Sequence, residues 1–87
     1  MARASSSGNM STAFVLIRAA PGSEGIVYQK LLEIEEVTET HVAYGEYDLV
    51  ARIDFEDEKK MANILIGVMR AIPGVQHTET LIAVEAE

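Results

Sequence analysis

The residues best suited to chemistry are Gly45-Glu46-Tyr47-Asp48, which interrupt a run of alternating polar and apolar residues. A glycine at positive φ can turn backbone N–H groups toward an anion, and the Asp48 carboxylate can accept hydrogen bonds from an ammonium group. An anion and an ammonium group are the two ends of a free α-amino acid. In the competing interpretation, Asp48 only accepts a bond from a nearby backbone N–H or a rim arginine. The segment therefore predicts either an amino-acid site or a structural carboxylate.

Other kinds of chemistry have little support in the sequence. His41 and His77 fall on different predicted strands, there is no cysteine, and no His-x-x-x-His spacing occurs, so a metal site would need distant carboxylates. Phosphate-binding loops, dinucleotide fingerprints and nucleophile elbows are also missing. The sequence thus predicts no metal, no cofactor and no catalytic residue.

The pattern of apolar residues predicts the element order strand, helix, strand, strand, helix, strand. The predicted strands span residues 12–19, 37–44, 47–55 and 75–84, and the helices begin after possible N-caps at Ser23 and Asp57. Gly45-Glu46 fits a two-residue type II′ hairpin turn, because glycine favours the positive φ at its first central position. In the strand that follows, alternation places Tyr47 on the same face as Leu49.

Apolar repeats identify the helix faces that should cover a sheet. Val27, Leu31 and Ile34 repeat at helical spacing in the first helix. In the second helix, the predicted stripe is Met61, Ile64, Leu65, Val68 and Ile72.

The two halves of the chain each form a βαβ-like unit, which defines the expected fold. Right-handed crossovers place both helices on one face of a four-stranded antiparallel sheet. This is a ferredoxin-like βαββαβ sandwich of the α+β class. Since the first strand also presents apolar side chains to the uncovered face, we expect a homodimer with face-to-face sheets, a dimeric α+β barrel burying about 1,600 Å² or more.

Size and charge limit the partners of this 87-residue chain. We expect residues 1–11 to be a disordered tail or cloning remnant and residues 12–87 to form a single domain. Seven basic and fourteen acidic residues give a net charge of -7, which opposes direct nucleic-acid binding. With no cysteine, no leader-like start and no long apolar run, we expect a soluble cytoplasmic protein without membrane contact.

Two motifs carry a family resemblance. Gly45-Glu46-Tyr47-Asp48 resembles the Gly-Asp-Tyr-Asp hairpin of the effector-binding (RAM) domain of Lrp/AsnC regulators. "IPGVQHTETLIAV" resembles the closing segment of that domain, where a Pro-Gly-Val turn leads into a strand with Thr-x-Thr. The resemblance covers residues 12–84.

The resemblance implies an effector-binding and oligomerisation domain rather than an enzyme. It implies sheet-to-sheet dimers that assemble into a ring, commonly of four dimers (an octamer), with a small effector, usually an amino acid, between dimers. The implied ligand-binding residues are Gly45, Glu46, Tyr47, Asp48, Thr78 and Thr80.

The sequence departs from the family pattern at two points. Glu46 stands where aspartate is commoner, and the residues before Thr12 are too few and too polar for the helix-turn-helix of full-length members. The resemblance thus implies a stand-alone domain acting on amino-acid-responsive transcription through a full-length Lrp/AsnC-type partner.

Two alternatives share this topology. A small dimeric ferredoxin-like monooxygenase or isomerase could take acid and base groups from His41, Tyr44 and Tyr47, although the sequence pairs no base with an orienting group. An ACT-type amino-acid-binding module would not be expected to use a Gly-x-Tyr-Asp hairpin.

Overall fold

The computed structural model describes residues 10–83, which form one sheet and two helical segments. In chain order these are β1 (Ser11–Ala19), α1 (Glu24–Leu32), β2 (Val37–Val42), β3 (Leu49–Phe55), α2 (Glu58–Asn63), a π-helix (Ile64–Met69) and β4 (Val75–Ile82). The sheet order is β2-β3-β1-β4 and every neighbouring pair is antiparallel. The predicted ferredoxin-like α+β fold is confirmed. The proposed tail lies outside the described residues, apart from Met10 and Ser11.

The core lies between the helices and one face of the two central strands. In β1 the side chains of Ala13, Val15 and Ile17 are fully buried, and β3 alternates in the same way from Leu49 to Phe55. Strand alternation places all of these side chains on one face, and the register pairs Val15 with Ala51. The predicted alternation of β3 from Leu49 onward is therefore confirmed.

The first turns of the helices differ in how they are capped. Asp57 accepts a hydrogen bond from the backbone N–H of Lys59 through Oδ1 at 2.9 Å, as expected of an N-cap. Ser23 occupies the N-cap position of α1, but its side chain makes no capping bond. Val27 and Leu31 of α1 are buried as predicted.

The second helical segment departs from the predicted stripe. Ile64 and Ile72 are buried as expected, but Val68 is 45% exposed and Met69 is fully buried. The cause is the π-helix, in which the N–H of Arg70 bonds the carbonyl oxygen of Leu65, five residues earlier. The wider turn brings residue i+5 rather than i+4 under Ile64, so the prediction for Val68 is wrong.

The sheet face opposite the helices, which we call the open face, is uncovered in the single chain. Its central apolar residues are Phe14, Leu16, Val50 and Leu81, with Phe14 37% and Leu81 50% exposed. β1 presents apolar side chains to both faces, as the sequence predicted, but within one chain only one face is covered. This face carries the apolar area available for an interface.

Charged residues border the open face at its β2 side. Asp54 accepts hydrogen bonds from Thr12 and Arg52, and Arg52 also reaches Glu39 at 3.3 Å. Burial acts to raise the pKa of Asp54, but the hydroxyl groups of Thr12 and Thr38 and the Arg52 guanidinium outweigh it. The pKa of Asp54 therefore lies below its ordinary value, and its carboxylate stays charged at neutral pH.

The π-helix generates a test with two adjacent residues. Met69→Ala removes a fully buried side chain and should lower the free energy of unfolding by about 2–4 kcal/mol, whereas Val68→Ala should cost about 1 kcal/mol or less. Urea denaturation of both variants measures the difference. Equal losses, or a larger loss at Val68, would mean that the helix is α-helical through this segment.

Candidate functional site

The connection between β2 and β3 is a six-residue loop, residues 43–48, rather than the predicted two-residue turn. It is closed by a hydrogen bond from the N–H of Ala43 to the carbonyl oxygen of Asp48, at 2.8 Å. The N–H of Asp48 turns to β1 and bonds the carbonyl oxygen of Ile17 at 2.9 Å. The β2–β3 ladder ends at Val42 and Leu49, which are separated by six residues, and the type II′ assignment is wrong.

Gly45, at the tip of this loop, has the positive φ that the sequence predicted. Its φ is +129°, a value that side-chain-bearing residues rarely adopt, and the space around its Cα is open. The adjacent side chains project into solvent, with Tyr44 fully exposed and the Glu46 side chain 78% exposed. Within residues 10–83, no acceptor is bonded to the amides of Gly45 and Glu46.

Asp48 accepts a hydrogen bond from a nearby backbone N–H, as the structural interpretation of this residue predicted. Its Oδ2 accepts a hydrogen bond from the backbone N–H of Ala19 at 2.8 Å. Asp48 therefore contacts β1 twice, through its main-chain N–H at Ile17 and through its carboxylate at Ala19. One carboxylate oxygen is occupied by the contact with Ala19.

The Tyr47 side chain lies over the open face, not on the face shared with Leu49. Its hydroxyl donates a 2.6 Å hydrogen bond to Oε1 of Glu79. Its ring stacks on that of His77, with centroids 6.3 Å apart and an interplanar angle of 22°. The predicted face was wrong because Tyr47 belongs to the loop, where strand alternation does not apply.

Arg18 also contacts the ring of Tyr47. Its Cζ lies 5.4 Å from the centre of the Tyr47 ring, which is within the range of a cation–π contact. Its Nε donates to the carbonyl oxygen of Glu46 at 3.1 Å, and its Nη2 lies 3.8 Å from the Glu46 carboxylate. The guanidinium therefore joins β1 to two consecutive residues of the loop.

The environment of Tyr47 favours its protonated form. The hydrogen bond to Glu79 is the largest cause, and burial and the negative charges of Glu79 and Glu46 act in the same direction. These raise the pKa of Tyr47, while the charge of Arg18 opposes them only in part. At neutral pH the hydroxyl is a hydrogen-bond donor and a poor general base.

The two threonines of the predicted site lie on the opposite side of the sheet. Thr78 pairs with Ile17 and Thr80 with Val15, so their side chains point to the helix-covered face. Thr78 also lines a shallow polar cleft with Arg70, Val75, Gln76 and His77. Within one chain, the structure brings Glu46, Tyr47 and Asp48 together around β1 but does not bring Thr78 or Thr80 to Tyr47.

Sequence reasoning missed three residues that hold the loop: Arg18, His77 and Glu79. The alternation of β1 and β4 carried a usable signal, since Arg18 follows Phe14 and Leu16 at even spacing, and His77 and Glu79 alternate with the threonines. That His77 lies beside Arg18 could not be predicted without the register between β1 and β4. Of the three candidate enzyme residues, His41 contacts Glu39, Tyr47 contacts Glu79, and Tyr44 is fully exposed.

Two other kinds of site are absent from the described residues. Between residues 10 and 83 there is no cluster of three or more side chains able to hold a metal ion. Over the same range, neither helical segment has the length and apolar character needed to cross a membrane.

The architecture and the loop define a ferredoxin-like α+β domain with a protruding, glycine-tipped connection between its second and third strands. A family model described as "Lrp/AsnC ligand binding domain" matches residues 12–87, so the chain belongs to this family. The matched range contains every candidate site residue.

Known relatives agree with this assignment. The HTH-type transcriptional regulator FL11 of Pyrococcus abyssi is 33% identical over 73 residues, which are 84% of this chain and 48% of FL11. The chain thus spans about half the length of the curated relatives that it matches.

Two solved structures are similar over nearly their whole length. PHS023 from Pyrococcus horikoshii is 38% identical with a TM-score of 0.80, covering 87% of this chain and 92% of that one. TTHA0845 from Thermus thermophilus is 32% identical with a TM-score of 0.83, covering 88% and 96%. The chains in these two structures therefore have about the length of this chain and the same fold.

The Asp48 contact predicts a cost even without a ligand. Asp48→Ala leaves the Ala19 N–H without its acceptor and should lower the free energy of unfolding by about 1–3 kcal/mol. Asp48→Asn keeps an oxygen acceptor and should cost less than half as much. Urea denaturation of the ligand-free protein compares the two, and an unchanged midpoint for Asp48→Ala would rule out the structural role.

Proposed function

We propose that this chain is an amino-acid effector-binding and oligomerisation domain that modulates amino-acid-responsive transcription in the cytoplasm. The observation that carries the proposal is the match of the Lrp/AsnC ligand-binding family to residues 12–87, which include the loop at residues 43–48. Curated relatives that are named transcriptional regulators support a regulatory rather than an enzymatic role.

The loop offers groups for both ends of an amino acid. The open amides of Gly45 and Glu46 suit the carboxylate, and the exposed Glu46 carboxylate and the second oxygen of Asp48 suit the ammonium group. Thr78 and Thr80 lie across the sheet from Tyr47, so we place their hydroxyl groups in the site through a neighbouring copy. Asp48 then has two roles, as an acceptor for Ala19 and as a ligand contact.

The open face supports self-association. Phe14, Leu16, Val50 and Leu81 form an apolar centre, and a second sheet packed on it would complete a dimeric α+β barrel. Stable interfaces of this kind bury about 1,600 Å² in total. Further assembly of dimers into a ring, of four in an octamer, would bring one subunit's loop against another subunit.

The effect on transcription is assigned to a partner. The net charge of -7 disfavours an approach to DNA, so we propose mixed assembly with a full-length Lrp/AsnC-type regulator, or competition with it for effector.

A thermal-shift screen of the twenty amino acids tests effector binding. An effector at about one hundred times its Kd should stabilise the folded protein by about 2.7 kcal/mol, and Asp48→Ala should abolish that increment. Glu56→Ala, which removes an exposed carboxylate at the far end of β3, should retain it. Stabilisation of Asp48→Ala equal to that of the wild type would place the effector elsewhere, and no stabilisation of the wild type would reject the amino-acid proposal.

Two adjacent residues of β4 test the dimer. Leu81→Asp introduces a charge on the open face and should shift the sedimenting species at micromolar concentration toward a smaller mass. Ile82→Asp is the matched control, because Ile82 is similarly exposed but pairs with Ala13 on the opposite side. Equal masses for Leu81→Asp and the wild type would exclude the open face as the interface.

A further inference from the structure

Tyr47 is held on the open face by groups from two strands. Its ring extends across β1, contacting Arg18 there and His77 on β4, and its hydroxyl reaches Glu79 on β4. Leu16, the register partner of Glu79, also pairs with Val50 of β3. The hydroxyl is thus bound to β4, at the level of the Val50-Leu16-Glu79 row. β1 lies between this contact and β3, the strand that follows the loop.

The residues on either side of Tyr47 are the two carboxylates of the proposed ligand site. Glu46 is bonded through its carbonyl oxygen to Arg18, and Asp48 is bonded through Oδ2 to the N–H of Ala19. The orientation of the Tyr47 backbone therefore sets the directions of both neighbours. A displaced tyrosine would strain the Arg18 contact on one side and the Ala19 contact on the other.

Among the side chains that contact Tyr47, Glu79 is the one that accepts a short hydrogen bond from its hydroxyl. A hydroxyl-to-carboxylate bond at 2.6 Å is in the range of charge-assisted hydrogen bonds, which are stronger than neutral ones. The ring contacts with Arg18 and His77 are longer, at 5.4 and 6.3 Å, and constrain the ring plane rather than the position of its end. Glu79 therefore fixes how far Tyr47 extends across the sheet.

We propose that Glu79 is a positioning residue for the ligand-binding loop 43–48, acting through the hydroxyl of Tyr47. It need not touch the effector. The ligand-binding part of this inference rests on the proposed function, whereas the ordering of the loop by Glu79 does not.

Hydrogen exchange measures the ordering without any ligand. In Glu79→Ala, the amides of Ala19, Ala43 and Asp48 should exchange about fivefold faster or more, because these are the hydrogen bonds that close and attach the loop. Tyr47→Phe should produce the same pattern, and the double variant should add little, since both changes remove one bond. Glu56→Ala controls for the lost charge.

The conservative substitution separates positioning from general destabilisation. Glu79→Gln keeps an oxygen that can accept from the Tyr47 hydroxyl, so the slow exchange of the three amides should be largely restored. In a background lacking Tyr28 and Tyr44, tyrosinate absorbance should show the pKa of Tyr47 falling toward its ordinary value in Glu79→Gln, because the carboxylate charge is lost.

The ligand step uses an equimolar mixture of the twenty amino acids as the probe. If the mixture stabilises the wild type, the shift in melting temperature should fall in Glu79→Ala and recover in Glu79→Gln. If the mixture has no effect on the wild type, the proposed function fails, and hydrogen exchange alone decides whether Glu79 orders the loop. Exchange of the three amides in Glu79→Ala at the rate of the Glu56→Ala control would overturn the inference.

Discussion

The burial of one face of β1 and β3 against the helices is the constraint on which the rest of the structure depends. With Val15, Ile17 and Ala51 fully buried, a shift of one residue in either strand would move the whole apolar set into solvent. The same alternation sends Phe14, Leu16 and Arg18 to the open face. The core thus determines which side chains remain for an interface and which one can hold the Tyr47 ring.

The order of the elements and the alternation of β3 followed from the sequence, because both depend on local periodicity. The π-helix did not, because Val68 and Met69 are both apolar and the choice between them depends on which carbonyl the Arg70 N–H bonds. The length of the loop, six residues instead of the predicted two, was missed for a similar reason. Nothing local in Asp48 indicates that its N–H pairs with Ile17 rather than with the neighbouring hairpin strand.

The candidate site was predictable in part. Gly45 could be recognised because few other residues tolerate its φ of +129°, and Asp48 stood out as a carboxylate at a strand end. Glu79 and His77 could not be joined to Tyr47 from the sequence, since the contact crosses the central strand and depends on the register of two strand pairs. The resemblance to Lrp/AsnC domains pointed instead to Thr78 and Thr80, whose parity places them on the helix-covered side.

The loop and the ends of the described chain lie at opposite ends of β1. Ala83 bonds Thr12 near the start of this strand, whereas Asp48 bonds Ile17 and Ala19 near its finish. Five to seven residue steps of strand place these points about 17–23 Å apart. A domain joined at Ser11 or Ala83 would therefore be attached at the end of β1 remote from the loop. If the loop binds an effector as proposed, its effect on such a domain would have to pass along the sheet or through contacts between subunits.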